Sequence, residues 1–276
     1  RTGAVNTVKE VDLLTDLNNP CAFVPTMGAL HAGHQSLIRR ARELADEVVV
    51  SIFVNPLQFE NKEDLAKYPS TPKHDGQLAK EAGATILWRP SYQSIYPGEL
   101  EKLSSGQIGR SFEGVHRPGH FDGVLTVVNR LFELSRPKYA IFGEKDFQQL
   151  FLIKEMAAKL HPEIQIIAAP TIRDNSGLAL SSRNVRLSDQ GLEGAQVISK
   201  VLSAASSESS LTSARQALKQ IERQDSFTLD YAEIIDEESF QVADESSIKT
   251  RVIIAGWIEG VRLIDNMAMQ NSLVRA

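Results

Sequence analysis

The sequence predicts an α/β protein, a Rossmann-like doubly wound parallel sheet with a smaller C-terminal α+β domain. Three observations carry that expectation. The runs "CAFVP" (21–25), "EVVVSIF" (47–53), "ATILWRP" (84–90), "YAIFG" (139–143) and "IQIIAAP" (164–170) are almost unbroken apolar stretches, the pattern of strands buried on both faces. The segments between them have helical spacing, so helices must cover both faces of a parallel sheet. Beyond about residue 171 the alternation stops.

In chain order, Thr7 with Glu10 reads as a capping box that opens a short helix through Leu14. After "CAFVP", Leu37, Ile38, Ala41, Leu44 and Ala45 mark an amphipathic helix, and Asp75 to Gly83 marks another that ends on a glycine. A glycine-rich loop over 104–123 precedes a helix from about Val124 to Leu134. A further helix over 146–160 places Phe147, Leu150, Ile153, Ala157 and Leu160 on one face. These elements form a first domain, 1–171. In 172–276, two helices with apolar positions at 195, 198, 202, 205 and 211, 214, 218, 221 precede the strand-like "FTLDYAEIID", "RVIIAGWIEG" and "VRLIDNM". That is the pattern of a separate α+β domain.

Composition narrows the function classes. With 42% hydrophobic and 24% charged residues over 276 positions, the chain has the make-up of a folded globular protein and is too apolar for disorder. No apolar run approaches the roughly 20 residues that span a bilayer, and the first residues lack a basic-then-apolar leader pattern, so a cytoplasmic protein with no membrane partner is expected. Cys21 is the single cysteine, which excludes an intrachain disulfide and a cysteine-based zinc site and suits a reducing compartment. A formal net charge of −5 argues against a broad nucleic-acid surface, while small anions can still bind a local basic pocket.

In open α/β sheets ligands bind outside the carboxyl ends of the strands, which singles out "PTMGALHAGH", "NPLQF", "GEKDFQQ" and "TIRDNSGLALSSRN". In the first, Gly28 allows close backbone approach, and Gly33 and His34 stand where a helix begins. A helix start offers backbone N–H groups and a positive dipole to phosphate, and His31 and His34 add imidazole donors. Histidines three apart can also share a metal, or simply serve the fold. The HExxH pattern is absent and the other histidines (74, 116, 120, 161) have no ligand spacing, so phosphate is the stronger reading. Lys145 and Asp146 follow a strand and open a helix: Lys145 offers a point charge, Asp146 an N-cap or a ribose or magnesium contact. "LALSSRN" supplies two hydroxyls and a guanidinium, and Gln58 and Gln149 carry neutral groups suited to hydroxyls and carboxylates. Neither a Walker A pattern nor GxGxxG occurs, so a nucleotide would be held another way.

Together "PTMGALHAGH", "NPLQF", "RPGHFDGVLTVV", "FGEKDFQQL" and "GLALSSRN" resemble the pantoate–β-alanine ligase (pantothenate synthetase) family, in family order across about residues 20–187. HAGH resembles the HxGH signature of the wider nucleotidyltransferase superfamily, and LSSR stands where relatives outside the family carry KMSKS. The resemblance implies a two-step reaction in which pantoate and ATP give pantoyl adenylate and pyrophosphate, and β-alanine then displaces AMP. It also implies Mg2+, a homodimer and a C-terminal domain that closes over the active site. It puts ATP along Met27, Gly28, Ala29, Leu30, His31, Ala32, Gly33 and His34, along Gly143, Glu144, Lys145 and Asp146, at Ile172, and along Leu180, Ser181, Ser182 and Arg183. It makes His34 the proton donor, with His31, Lys145 and Arg183 as further catalytic groups. Gln58 and Gln149 become the pantoate clamp, with Gln58 also meeting β-alanine, while Pro25, Met27 and Val128 line the pantoate methyls. The segment "PKHDGQLAKEAG" departs from the consecutive acidic residues of many relatives, leaving Asp75 between His74 and Gly76 as the expected magnesium contact, the metal otherwise being held by ATP phosphates.

From the residues alone two other readings stay open. One is a nucleotidyltransferase acting on a phosphate ester, which would need more cations and no paired glutamines. The other is a metal-dependent binding or regulatory protein built on His31 and His34.

Overall fold

The computed structural model describes residues 8–15, 17 and 20–270. The chain divides into two compact units. One holds the residues up to Glu144 together with Gln149–Pro170, and the other holds Lys145–Gln148 and the chain from Thr171 onward.

The first unit runs β1 (Lys9–Val11), β2 (Cys21–Thr26), α1 (Ala32–Leu44), β3 (Glu47–Ile52), α2 (Lys62–Ala66), α3 (Pro72–Ala82), β4 (Ile86–Trp88), α4 (Tyr92–Ile95), α5 (Glu113–His116), α6 (His120–Ser135), β5 (Tyr139–Gly143), α7 (Phe147–Leu160) and β6 (Gln165–Ala169). Its six strands lie in the order β1-β4-β3-β2-β5-β6, and every pairing is parallel. This is the doubly wound sheet that the apolar runs predict. From β2 the chain winds to one side through β3 and β4, then returns to build β5 and β6 on the other. The strand order therefore reverses between β2 and β5, where Ala22 pairs Tyr139 and Phe23 pairs Ala140. A crevice for ligands opens at such a point, beyond the carboxyl ends of those two strands.

Burial explains why these residues form strands. Phe23 has no exposed surface and meets Trp88 and Phe132 with ring centroids 6.2 and 6.4 Å apart. Ala22, Val24, Val48 and Val50 are equally buried on the α1 side of the sheet. Cys21 is a core residue of β2. Burial, and then the nearby Glu47 carboxylate, push its thiol above the usual range, which keeps it protonated and inert.

The N-terminal helix read from Thr7 and Glu10 is not there. Thr7 lies outside the described residues, and Lys9–Val11 instead forms β1, pairing Lys9 with Ile86, Glu10 with Leu87 and Val11 with Trp88. A three-residue stretch has little helical preference of its own, and an open edge of β4 decides its state. Other boundaries shift for local reasons. Helix α3 begins earlier than expected, at Pro72, whose fixed φ suits a first helical position, and it ends on Gly83 at φ +108°. Helix α6 begins at His120 rather than Val124, launched from Gly119 at φ +76°.

The second unit contains α8 (Asp189–Ser206), α9 (Leu211–Leu218) and an antiparallel sheet β7 (Thr228–Asp236), β8 (Thr250–Ile258) and β9 (Val261–Ala268), in that spatial order. Ala195, Ile198, Leu202 and Ala205 of α8 join Val252, Ile254 and Leu263 in one apolar core, the face that the helical spacing marks. Glu259 and Gly260, both at positive φ, form the two-residue turn between β8 and β9, and the Ser188 hydroxyl donating to Glu259 holds that carboxyl below its usual range.

Within the first unit, α6 lies against the turn after β3 so closely that a Cβ on Gly123 would stand 2.4 Å from the Leu57 carbonyl oxygen and 2.7 Å from the Gln58 nitrogen. Gly123→Ala should therefore destabilise the protein by about 1–3 kcal/mol, because only backbone can move to relieve the clash. Gly98→Ala, with nothing within 4 Å of its Cβ, should stay within about 0.5 kcal/mol of the parent. Chemical denaturation of both variants checks the contrast.

Candidate active site

Strand β2 hands over to α1 through two consecutive residues in the left-handed region, Gly28 at φ +82° and Ala29 at φ +50°. Glycine accepts that backbone readily and alanine pays for it. The turn is held from both sides. The Thr26 hydroxyl donates to the Ser51 carbonyl at 2.7 Å and accepts from Gly28 N at 3.2 Å. On the other side, the Asp75 carboxylate, only 2% exposed on α3, accepts from Ala29 N at 3.2 Å, Leu30 N at 2.8 Å and the Thr71 hydroxyl at 2.9 Å. Gly28 must also be small, since its Cβ would come to 3.1 Å from both Asp75 Oδ2 and Ile52 Cγ2.

The two histidines close the helix start. His31 is the N-cap, with extended backbone, and its Nδ1 accepts from Gly33 N at 3.0 Å; His34 Nδ1 in turn accepts from His31 N at 3.2 Å, and the rings lie 4.1 Å apart. This is a capping box made of imidazoles, a role that Ser, Thr or Asp with Glu usually fill. It also fixes the chemistry. A neutral imidazole whose Nδ1 accepts carries its proton on Nε2, so each ring is a hydrogen-bond donor at that atom. The structure thus gives His31 and His34 a structural role and a donor role together. It does not favour the shared-metal reading, because one nitrogen of each ring is committed to the backbone, and among the described residues no group of three or more His, Cys, Asp or Glu could hold a metal ion. Asp75, expected at magnesium, is engaged by three protein donors and serves as the clamp of the loop.

After β3, Gln58 ends a short turn over Pro56–Gln58. Its Oε1 accepts from Asn55 Nδ2 at 3.0 Å, and its carbonyl oxygen lies 2.9 Å from His120 Nδ1. Asn55 is 1% exposed; it also donates to the Gly123 carbonyl at 3.0 Å and accepts from the Tyr96 hydroxyl at 2.9 Å. Burial, and then Tyr92 nearby, raise the Tyr96 phenol well above its ordinary value, so this donor keeps its proton. Because Asn55 donates to Oε1, the Gln58 amide turns its NH2 end the other way. Neither Asn55 nor Tyr96 belongs to a chemical motif of the sequence; the Asn-Pro dipeptide in "NPLQF" is the signal that marks the turn. Pro25 and Met27 are half-buried at the end of β2, Val128 is buried on α6, and Gln149 is half-buried in the first turn of α7. Gly143 and Glu144 follow as the end of β5 and the residue after it.

In the second unit, Lys145 and Asp146 complete a short turn before α7, with Lys145 Nζ 3.9 Å from Asp146 Oδ1. The Lys145 carbonyl accepts from Asn266 Nδ2 at 2.8 Å. The segment "TIRDNSGLALSSRN" folds back on itself: Leu180 N donates to the Ile172 carbonyl, and Asp174 and Leu178 close the tip. There the Ser176 hydroxyl donating to Asp174 holds that carboxyl below its usual range. Ser181 Oγ accepts from Arg183 N at 3.2 Å, and Arg183 Nη1 reaches the Arg262 carbonyl at 3.4 Å, so the two hydroxyls and the guanidinium are presented by one ordered turn. Arg173 forks onto Asp265 at 2.6 and 2.9 Å and anchors this segment to β9.

Comparison with known proteins bears on this geometry. The family model described as pantoate-beta-alanine ligase matches residues 3–268. The chain belongs to the pantoate–β-alanine ligase family. It is 44% identical to the pantothenate synthetase of Acidothermus cellulolyticus over 93% of this chain and 88% of that one. A crystal structure of the enzyme from Thermus thermophilus covers 95% of this chain and 99% of its own, at a TM-score of 0.89 and 38% identity. The pantoate-beta-alanine ligase of Francisella tularensis, described as complexed with beta-gamma ATP and beta-alanine, covers 96% and 98% at a TM-score of 0.80 and 35% identity. Membership in the pantoate–β-alanine ligase family makes this protein a ligase and accounts for the five motifs as one set.

The clamp on the left-handed turn is testable without any substrate. Asp75→Asn sets an amide NH2 where a backbone N–H or the Thr71 hydroxyl now donates, and it should lower stability by about 1–3 kcal/mol. Hydrogen exchange at the amides of Ala29 and Leu30 should accelerate well beyond that of the β2 amides. Unchanged exchange at both sites would remove Asp75 from this role.

Proposed function

We propose that the protein condenses pantoate with β-alanine at the expense of ATP, through a pantoyl adenylate, and releases AMP and pyrophosphate. The observation that carries the reading is a family match over nearly the whole chain in which the family motifs stand at the ends of β2, β3 and β5. The relative described as complexed with beta-gamma ATP and beta-alanine supports ATP and β-alanine as substrates.

In the first step the pantoate carboxylate attacks the α-phosphorus, forming an acyl–O–P bond while pyrophosphate departs. An anion meets a tetra-anion, so the residues must supply positive potential. The α1 N-terminus gives backbone N–H groups, and His31 and His34 give Nε2 donors to the phosphates. Lys145 and Arg183, with the Ser181 and Ser182 hydroxyls, take the charge that grows on pyrophosphate. Met27 to Leu30 and Gly143 to Asp146 border the nucleotide, and Ile172 and Leu180 supply its apolar contact. Gln58 and Gln149 hold pantoate through its hydroxyls and carboxylate, while Pro25, Met27 and Val128 meet its methyls. In the second step the neutral β-alanine amine attacks the acyl carbon, the C–N bond forms, the C–O bond to AMP breaks, and the nitrogen loses a proton. Gln58 serves the amine as well.

Magnesium commonly keeps several waters and is bound by one or two carboxylates plus substrate phosphates. Among the described residues no group of three or more His, Cys, Asp or Glu could hold a metal ion by itself. It would arrive on the ATP phosphates, and no step is assigned to a protein-held metal. We also propose a cytoplasmic homodimer, which the buried lone cysteine suits; among the described residues no helix is long and apolar enough to cross a membrane.

Pyrophosphate exchange into ATP should require pantoate and proceed without β-alanine. Exchange that strictly needed β-alanine would refute the adenylate.

Lys145→Ala should reduce adenylate formation by about a hundredfold or more, because the pyrophosphate charge develops only in that step. Reaction of supplied pantoyl adenylate with β-alanine should fall much less. Single-turnover measurement of each half-reaction decides, and equal losses would show that Lys145 places the adenylate rather than stabilising the departing anion.

A further inference from the structure

We propose that Asn266 is a positioning residue for adenylation, acting through Lys145; the inference rests on the adenylate reading above. Asn266 lies on β9, 4% exposed, paired with Ile253 of β8. Each of its polar groups has a partner. Its Oδ1 accepts from Arg251 Nη1 at 2.7 Å, its Nδ2 donates to the Lys145 carbonyl at 2.8 Å, its backbone N donates to Asp265 Oδ1 at 2.7 Å, and its carbonyl accepts from Arg173 Nη2 at 3.2 Å.

The orientation of the amide is forced. Arginine has only donors, so the oxygen of Asn266 must face Arg251, and the NH2 must then face Lys145. Arg251 is itself fixed, 6% exposed, donating through Nε to Glu237 at 2.8 Å and lying 4.1 Å over the Phe147 ring. Phe147 stacks on Phe240 with centroids 6.2 Å apart and planes 23° from parallel. Arg251 therefore grips the segment twice, by its face on Phe147 and through Asn266 on Lys145. This explains why Lys145–Gln148 groups with the second unit although β5 and most of α7 belong to the first. A lysine stem has four rotatable bonds, and fixing its peptide limits where its ammonium can reach. Positioning of this kind matters most to a step that needs the charge at one place.

Asn266→Asp separates positioning from folding. A carboxylate keeps the acceptor for Arg251 but turns an oxygen toward the Lys145 carbonyl, so the framework stays while the turn is pushed away. The expected result is a folded protein with a lowered melting temperature, because two buried acceptors now face each other; assayed well below that temperature, pantoate-dependent pyrophosphate exchange falls by about tenfold or more, while reaction of supplied pantoyl adenylate with β-alanine is nearly unchanged. In a Lys145→Ala background the same substitution should have little further effect on exchange, because a residue that acts through Lys145 has nothing left to act on. Equal loss in both half-reactions, full additivity with Lys145→Ala, or normal exchange would each overturn the proposal. If Asn266→Asp does not fold, Asn266→Ser is judged by the same measurements, and loss of the fold in both would make Asn266 a framework residue and overturn it too. Absence of pantoate-dependent exchange in the parent protein would instead refute the adenylate reading itself.

Discussion

The buried carboxylate of Asp75 is the constraint on which the turn between β2 and α1 depends. Two successive left-handed residues, Gly28 and Ala29, aim two backbone N–H groups at one point, and outside a helix or strand those groups have no partner in regular structure. Asp75 receives N–H groups from Ala29 and Leu30, 46 and 45 residues away in the chain, with Thr71 supplying a third donor. A buried carboxyl group is expensive unless it is well hydrogen-bonded, and here the loop's conformation and the side chain's burial solve one another's problem. The position of His31 follows from the turn, the position of His34 follows from His31, and α1 starts where they stop.

The second unit solves the same problem with charge pairs. Arg173 on Asp265 and Arg251 on Glu237 and Asn266 fix the segments at 172–184 and 145–148. Taking such ions out of water costs several kcal/mol each, and a well-packed apolar substitute is often as stable. What a bidentate arginine adds is geometry: it accepts one arrangement of its partners. That suits loops whose hydroxyl, guanidinium and ammonium groups have to be held at fixed places.

How far all this can be read from the sequence depends on range. The parallel sheet was legible because burial on both faces writes itself into each strand as a continuous apolar run, from Cys21–Pro25 to Ile164–Pro170. The capping box at Thr7 and Glu10 misled because β1 is made by β4, a partner about 77 residues further along, and local propensity is a weak prior in three residues. The HAGH, GEKD and LSSR segments stand out in the sequence as candidates, since their residue types suit phosphate wherever they lie. What they rest on does not. Asp75 reads in the sequence as a magnesium contact because carboxylates serve both purposes, and nothing local announces that it also accepts from Ala29 and Leu30 N–H. Asn266 and Arg251 carry no local pattern, as a polar residue inside a strand reads the same whether it faces water or a distant carbonyl.

The proposed function needs a site for a polyanion, and such a site poses a conflict, because groups positive enough to hold it would, when empty, bind the protein's own carboxylates. This chain, with a net charge of −5, has many to offer. The structure anchors its donor groups through atoms other than those they would offer a ligand. The histidines are fixed by Nδ1, which leaves proton chemistry to Nε2, and Lys145 is fixed by its carbonyl oxygen. Its ammonium faces Asp146 at 3.9 Å, and that side chain is 51% exposed, a pairing of the kind worth about 0–1 kcal/mol in solvent. On the proposed function, exchanging such a partner for a phosphate gives up little, whereas a buried ion pair at the same lysine would resist the exchange.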